Sequence, residues 1–222
     1  RLKKLTLLSA DQNRILIIFF RSLKMSFSYP IANKKGKCLV FSFERITDEF
    51  YTDISKENGK KYTDCLRSFG FETKHYHKIN VEDEYRIWNE NKDIEDFTVL
   101  MIVIYGRVDD ECFFTNKDSI GYWIMKSLKQ FEIPKIVLFD SNAVFDIFND
   151  IIEVVEKQQN ILFYTVPNDD DFVDEFCKVF QTFHSDNFLD YFVKLNDCVE
   201  KNKLAGGFRG NFICNMNRKI TF

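Results

Sequence analysis

Apolar residues along the chain alternate between two spacings. Short, nearly unbroken runs, Cys38-Leu39-Val40-Phe41, residues 97–105 (FTVLMIVIY), 136–139 and 161–166, have the character of buried strands. Residues 71–77 alternate as a further strand. Between these runs the spacing becomes helical. Residues 58–70 set Tyr62, Cys65, Leu66 and Phe69 on one stripe, stopped by Gly70. Residues 81–90 place Tyr85 and Trp88 on a short amphipathic helix, and 117–130 turn Ile120, Ile124, Met125 and Leu128 inward. Helices are also predicted over 143–157, 170–183 and 186–203. After Gly206-Gly207 a last strand runs to Phe222.

Strands alternating with helices predict an α/β domain with a mostly parallel sheet. No linker rich in Pro, Gly or Ser divides the chain, so residues 29–222 read as one domain and 1–28 as an N-terminal extension, either a short prodomain or an amphipathic helix. The chain opens on Arg1 rather than Met, so it is read as part of a longer translated product.

Composition narrows the picture. At 45% hydrophobic and 29% charged residues, the chain is neither disordered nor fibrous, and its 25 Phe against 8 Gly predict a Phe-heavy core. A net charge of -3 with no basic stripe argues against nucleic acid as a main partner. The apolar run 15–20 is too short to span a membrane, which needs about 20 residues, and no small-residue cleavage site follows it. The six Cys form no C-x-x-C pair and mostly lie in apolar runs, so they read as buried reduced thiols of a cytoplasmic protein.

Several chemistries lack their motifs. There is no G-x-G-x-x-G, no Walker lysine loop and no G-x-S-x-G. His75 and His77 lie on one side of a short strand with no carboxylate or Cys triad beside them, so they read as packing residues, and no metal or cofactor is expected.

Six segments, in order, resemble a caspase: Tyr29-Pro30 leading to Gly36 and strand 38–41; helix 58–70 ending in Phe69-Gly70-Phe71; residues 75–83; strand 99–106; Pro134-Lys135 and strand 136–139; and Arg218-Lys219-Ile220-Thr221-Phe222. The resemblance implies a three-layer sandwich: a central, mostly parallel six-stranded sheet with helices on both faces. It also implies a large-subunit part over about 29–143 and a small-subunit part over about 160–222. The family is animal, and the many Lys, Asn, Ile and Phe suit an AT-rich genome, which suggests an insect source.

The departures from that pattern matter more. Where the family has S-H-G the chain has Ile104-Tyr105-Gly106, and where it has Q-A-C-R-G it has Asp140-Ser141-Asn142-Ala143-Val144. The general-base His thus corresponds to Tyr105 and the nucleophilic Cys to Asn142. A neutral amide offers no thiolate, and a phenol with an ordinary pKa of about 10 is a poor base at neutral pH. Gly106 retains the position of an oxyanion-hole amide. The arginines that hold a substrate aspartate are missing too. One corresponds to the neighbourhood of Thr52, and no Arg occurs between Arg107 and Arg209. Asp169, Asp170 and Asp171 stand there instead, either as a solvated helix N-terminus or as a repulsive rim. The resemblance therefore implies a pseudo-caspase that regulates apoptosis by binding an active relative as a heterodimer, or by forming a homodimer. The contact would be an edge strand carrying Phe212, Ile213, Cys214, Met216 and Ile220. The alternatives are a hydrolase with a displaced nucleophile, Ser141 or Cys112 served by His75 or His77, and a small-ligand module beside Tyr105 and Asn142.

Overall fold

The computed structural model describes residues 2–8, 15–21, 34–43, 51–106, 117, 119–141, 151, 153–155, 157–166, 170–185, 187–202 and 211–216. The strands are β1 (Leu2–Leu8), β2 (Ile15–Arg21), β3 (Lys34–Phe43), β4 (Phe71–His77), β5 (Phe97–Gly106), β6 (Lys135–Asp140), β7 (Ile161–Val166) and β8 (Asn211–Asn215). The helices are α1 (Tyr51–Ser68), α2 (Glu84–Glu90), α3 (Ile120–Leu128), α4 (Asp170–Thr182) and α5 (Leu189–Asn202).

All eight strands join one sheet in the order β1-β2-β8-β7-β6-β5-β3-β4. The five strands β4, β3, β5, β6 and β7 are mutually parallel. β8 runs antiparallel to β7 and completes the expected six. Residues 2–8 and 15–21 are the surprise: β1 and β2 pair antiparallel, and β2 then lies parallel to β8, with Ile17 opposite Ile213 and Ile18 opposite Cys214. The sheet is wider than six strands for this reason. A helix over this segment is not what forms.

Side-chain alternation divides the core into two layers. Cys38, Val40, Val99, Met101, Val103, Leu138, Leu162 and Tyr164 face α1, α4 and α5. Leu39, Phe41, Leu100, Ile102, Ile104, Val137, Phe139 and Phe163 face α2 and α3. β5 is buried along its whole length, as its unbroken apolar run requires. Much of the phenylalanine goes into the first layer, where Phe176 and Phe180 stack at 4.3 Å and Phe69, Phe188 and Tyr191 surround Phe180.

Local signals explain the element ends. Gly70 adopts φ 105°, the left-handed conformation that closes α1, and its amide donates to the Arg67 carbonyl. Ser119 caps α3 by accepting from the Tyr122 amide at 3.2 Å. At the amino end of the sheet, Lys37 is buried and paired with Glu72 (3.0 Å) and Asp93. An ammonium group in that position needs both partners to offset its lost hydration.

Candidate functional site

The carboxyl ends of the parallel strands carry a polar row on the α1 side of the sheet. Register alone builds it: His77 lies opposite Ser42, Ser42 opposite Tyr105, and Tyr105 opposite Asp140. Four neighbouring strands thus contribute one polar group each at the same level.

Helix α1 lies across this row and holds it. Ser55, Asn58 and Tyr62 are spaced i, i+3, i+7, so they share one helix face. The Ser55 hydroxyl donates to the Phe43 carbonyl at 2.9 Å, at the end of β3. The Asn58 amide donates to the Tyr105 hydroxyl at 2.7 Å, at the end of β5. The Tyr62 hydroxyl donates to Asp140 Oδ2 at 2.6 Å, at the end of β6. Burial drives the Tyr62 phenol well above its ordinary pKa, and the Asp140 carboxylate adds to the effect. The Tyr62 and Tyr105 rings lie 6.0 Å apart.

At the β4 edge the Ser42 hydroxyl sits between two imidazoles, 2.8 Å from His75 Nε2 and 2.8 Å from His77 Nδ1. A hydroxyl has one proton to donate, so it donates to one ring and accepts from the other. Burial pulls the His75 pKa down, helped by the neighbouring His77 and Lys56. Gly59 of α1 passes directly over this ring, and a Cβ there would lie 2.4 Å from His75 Nε2.

The expected site residues fall as follows. Tyr105 is 2% exposed, sealed under α1. Gly106 adopts φ 123°, and a Cβ there would meet the Phe43 carbonyl oxygen at 2.3 Å, so only glycine fits. Thr52 belongs to the first turn of α1. Phe212, Ile213 and Cys214 lie on β8, and Met216 just beyond it is buried. The outer edge of β8 is not open, because β2 occupies it. Asn142, Cys112, Asp169 and Ile220 lie outside the described residues. Asp170 and Asp171 open α4, where a negative charge suits the helix dipole.

With Ser141 as the displaced nucleophile the arrangement does not assemble; Cys112 lies outside the described residues. Ser141 is fully buried, and its amide donates to the Val166 carbonyl. Both histidines sit on β4, three strand spacings from β6, which is roughly 14 Å at about 4.8 Å per spacing. Among the described residues no three His, Cys, Asp or Glu gather as metal ligands, and no helix is long and apolar enough to cross a membrane.

Sequence reasoning missed Ser42, Ser55, Asn58 and the partnership of Tyr62 with Asp140. Asn58 and Ser55 continue the stripe of Tyr62, Cys65 and Leu66 one and two turns earlier, as polar members that apolar periodicity does not mark.

A parallel five-stranded sheet extended by an antiparallel strand, with helices on both faces, is the caspase-like fold. Among solved structures, that of drICE, a caspase, matches with a TM-score of 0.55 at 12% sequence identity, over 87% of this chain and 98% of that one. At that identity the likeness is one of fold. No protein-family model matches the chain, and no curated protein matches its sequence.

Proposed function

We propose that this chain is a catalytically inactive caspase relative that acts in the cytoplasm by binding an active caspase or its partners and changing their activity. The observation that carries the reading is Tyr105. At the position corresponding to the general base stands a phenol that is buried and held by Asn58. A base must reach the proton it removes, and this group faces a helix instead. The lack of an Arg between Arg107 and Arg209 supports the loss of aspartate recognition as well. With chemistry gone, what such a fold retains is surface.

The contact would be made between strand edges, in a heterodimer with an active relative or in a homodimer. Since β2 covers the outer edge of β8, pairing through β8 requires the hairpin to withdraw. The test is to mix the purified chain with an active caspase and follow co-elution together with cleavage of an aspartyl peptide. A complex with an altered cleavage rate is the expected result. Two separate peaks with an unchanged rate would end the proposal, as would covalent labelling of the chain alone by an aspartate-directed caspase probe.

A further inference from the structure

Two thiols meet where α1 packs against α4, away from the strand ends. Cys65 of α1 is buried, whereas Cys177 of α4 is only partly covered. Each reaches across to the other helix. The Cys65 thiol contacts the Cys177 carbonyl at 3.9 Å, and the Cys177 thiol contacts the Lys61 carbonyl at 3.8 Å. One turn away the Lys61–Asp174 ion pair (2.8 Å) marks where this seam reaches solvent.

We propose that Cys65 and Cys177 are a redox-sensitive pair that forms a disulfide between α1 and α4 when the protein meets hydrogen peroxide. Their roles differ. The neighbouring Cys65 thiol pulls the Cys177 pKa down and nearby Lys61 assists, while the Cys177 thiol together with burial pushes Cys65 up. Cys177 is therefore the attacking sulfur, being both the more acidic and the more accessible thiol. Its thiolate attacks one peroxide oxygen. The S–O bond forms as the O–O bond breaks, leaving a sulfenic acid and hydroxide. Cys65 then attacks that sulfur, giving up its proton. The S–S bond forms as the S–O bond breaks, and the departing oxygen leaves as water. The balance is two thiols and one peroxide giving one disulfide and two waters. The product pins α1, the helix that covers the strand ends, to its neighbour. This inference is independent of the reading of Tyr105.

The experiment treats the full chain with peroxide, blocks free thiols with N-ethylmaleimide, and maps tryptic peptides without reduction. The expected product joins residues 62–67 to residues 158–178 and disappears on addition of dithiothreitol. The oxidised protein should melt about 5–10 °C higher than the reduced one. In Cys65→Ser the reaction should halt at a dimedone-reactive sulfenic acid on Cys177, and Cys177→Ser should lose the rapid consumption of peroxide. Recovery of both cysteines as maleimide adducts from treated wild-type protein would overturn the proposal, and so would joining of either cysteine to a different partner. The mapping uses wild-type protein, so it decides the matter even if a variant fails to fold.

Discussion

Asn58 and Tyr105, 47 residues apart in sequence, are joined by a 2.7 Å hydrogen bond that fixes α1 over the end of the central strand β5. The bond holds the buried phenol beneath the helix.

Tyr105→Phe should therefore weaken the fold. Removing the hydroxyl takes one hydrogen bond from a buried amide, at a cost of about 0.5–1.5 kcal/mol, readable as a lower denaturant midpoint. The paired substitution Tyr105→His with Asn142→Cys should still not cleave aspartyl peptides, because the imidazole would lie beneath α1. Turnover by that double variant would contradict this placement.

Tyr62→Phe removes the hydrogen bond to the buried Asp140 carboxylate. The expected loss is about 1.5–3 kcal/mol, the range for bonds to charged groups. A pH dependence accompanies it. The folded-state pKa of Tyr62 is raised, so its contribution is complete below the unfolded value near 10.0 and declines as pH climbs past it. Alkaline denaturation curves should show wild type losing stability above that point, with a flatter decline in the variant.

His75 predicts the opposite limb. Its folded-state pKa is lowered, so stability is complete above the unfolded value of 6.5 and falls as the medium becomes more acidic. Among the described residues the groups facing the ring are Ser42, His77 and Lys56, with Gly59 passing over it. None of these offers a carboxylate to stabilise an imidazolium. Chemical denaturation between pH 7 and 5 should show this loss, and His75→Gln should reduce its slope.

Ile18→Pro should open the outer edge of β8. Proline cannot donate to a ladder and is excluded from central strands, and β2 lies between β1 and β8. The uncovered edge is a template for a second chain. Sedimentation velocity should show wild type as the smaller species and the variant as self-associated. A variant that sediments like wild type would mean that the hairpin does not guard this edge.

How much of this was legible beforehand follows from the range of each contact. The run from Phe97 to Tyr105 declares a strand buried on both faces, and Gly70 declares the end of α1, because those signals are local. α1 begins earlier than its apolar stripe suggests, since Ser55 and Asn58 are polar members of that face and bind strand ends instead of joining an apolar layer. The β1–β2 hairpin was missed for a different reason. Its partner β8 lies nearly the whole chain away, and its apolar run says only that something must cover it. The Ser42 bridge to His75 and His77 likewise depends on the register of β3 against β4, which no single segment encodes.

Three polar side chains on one face of α1 grip the ends of three different strands, so the helix has no way to lift by degrees. Freeing Asn58 from Tyr105 while Ser55 and Tyr62 stay bound would need the helix to bend within two turns. The carboxyl rim of the sheet is thus a single latch, and amide protons along the ends of β3, β5 and β6 should exchange with solvent at a common pace set by that one opening.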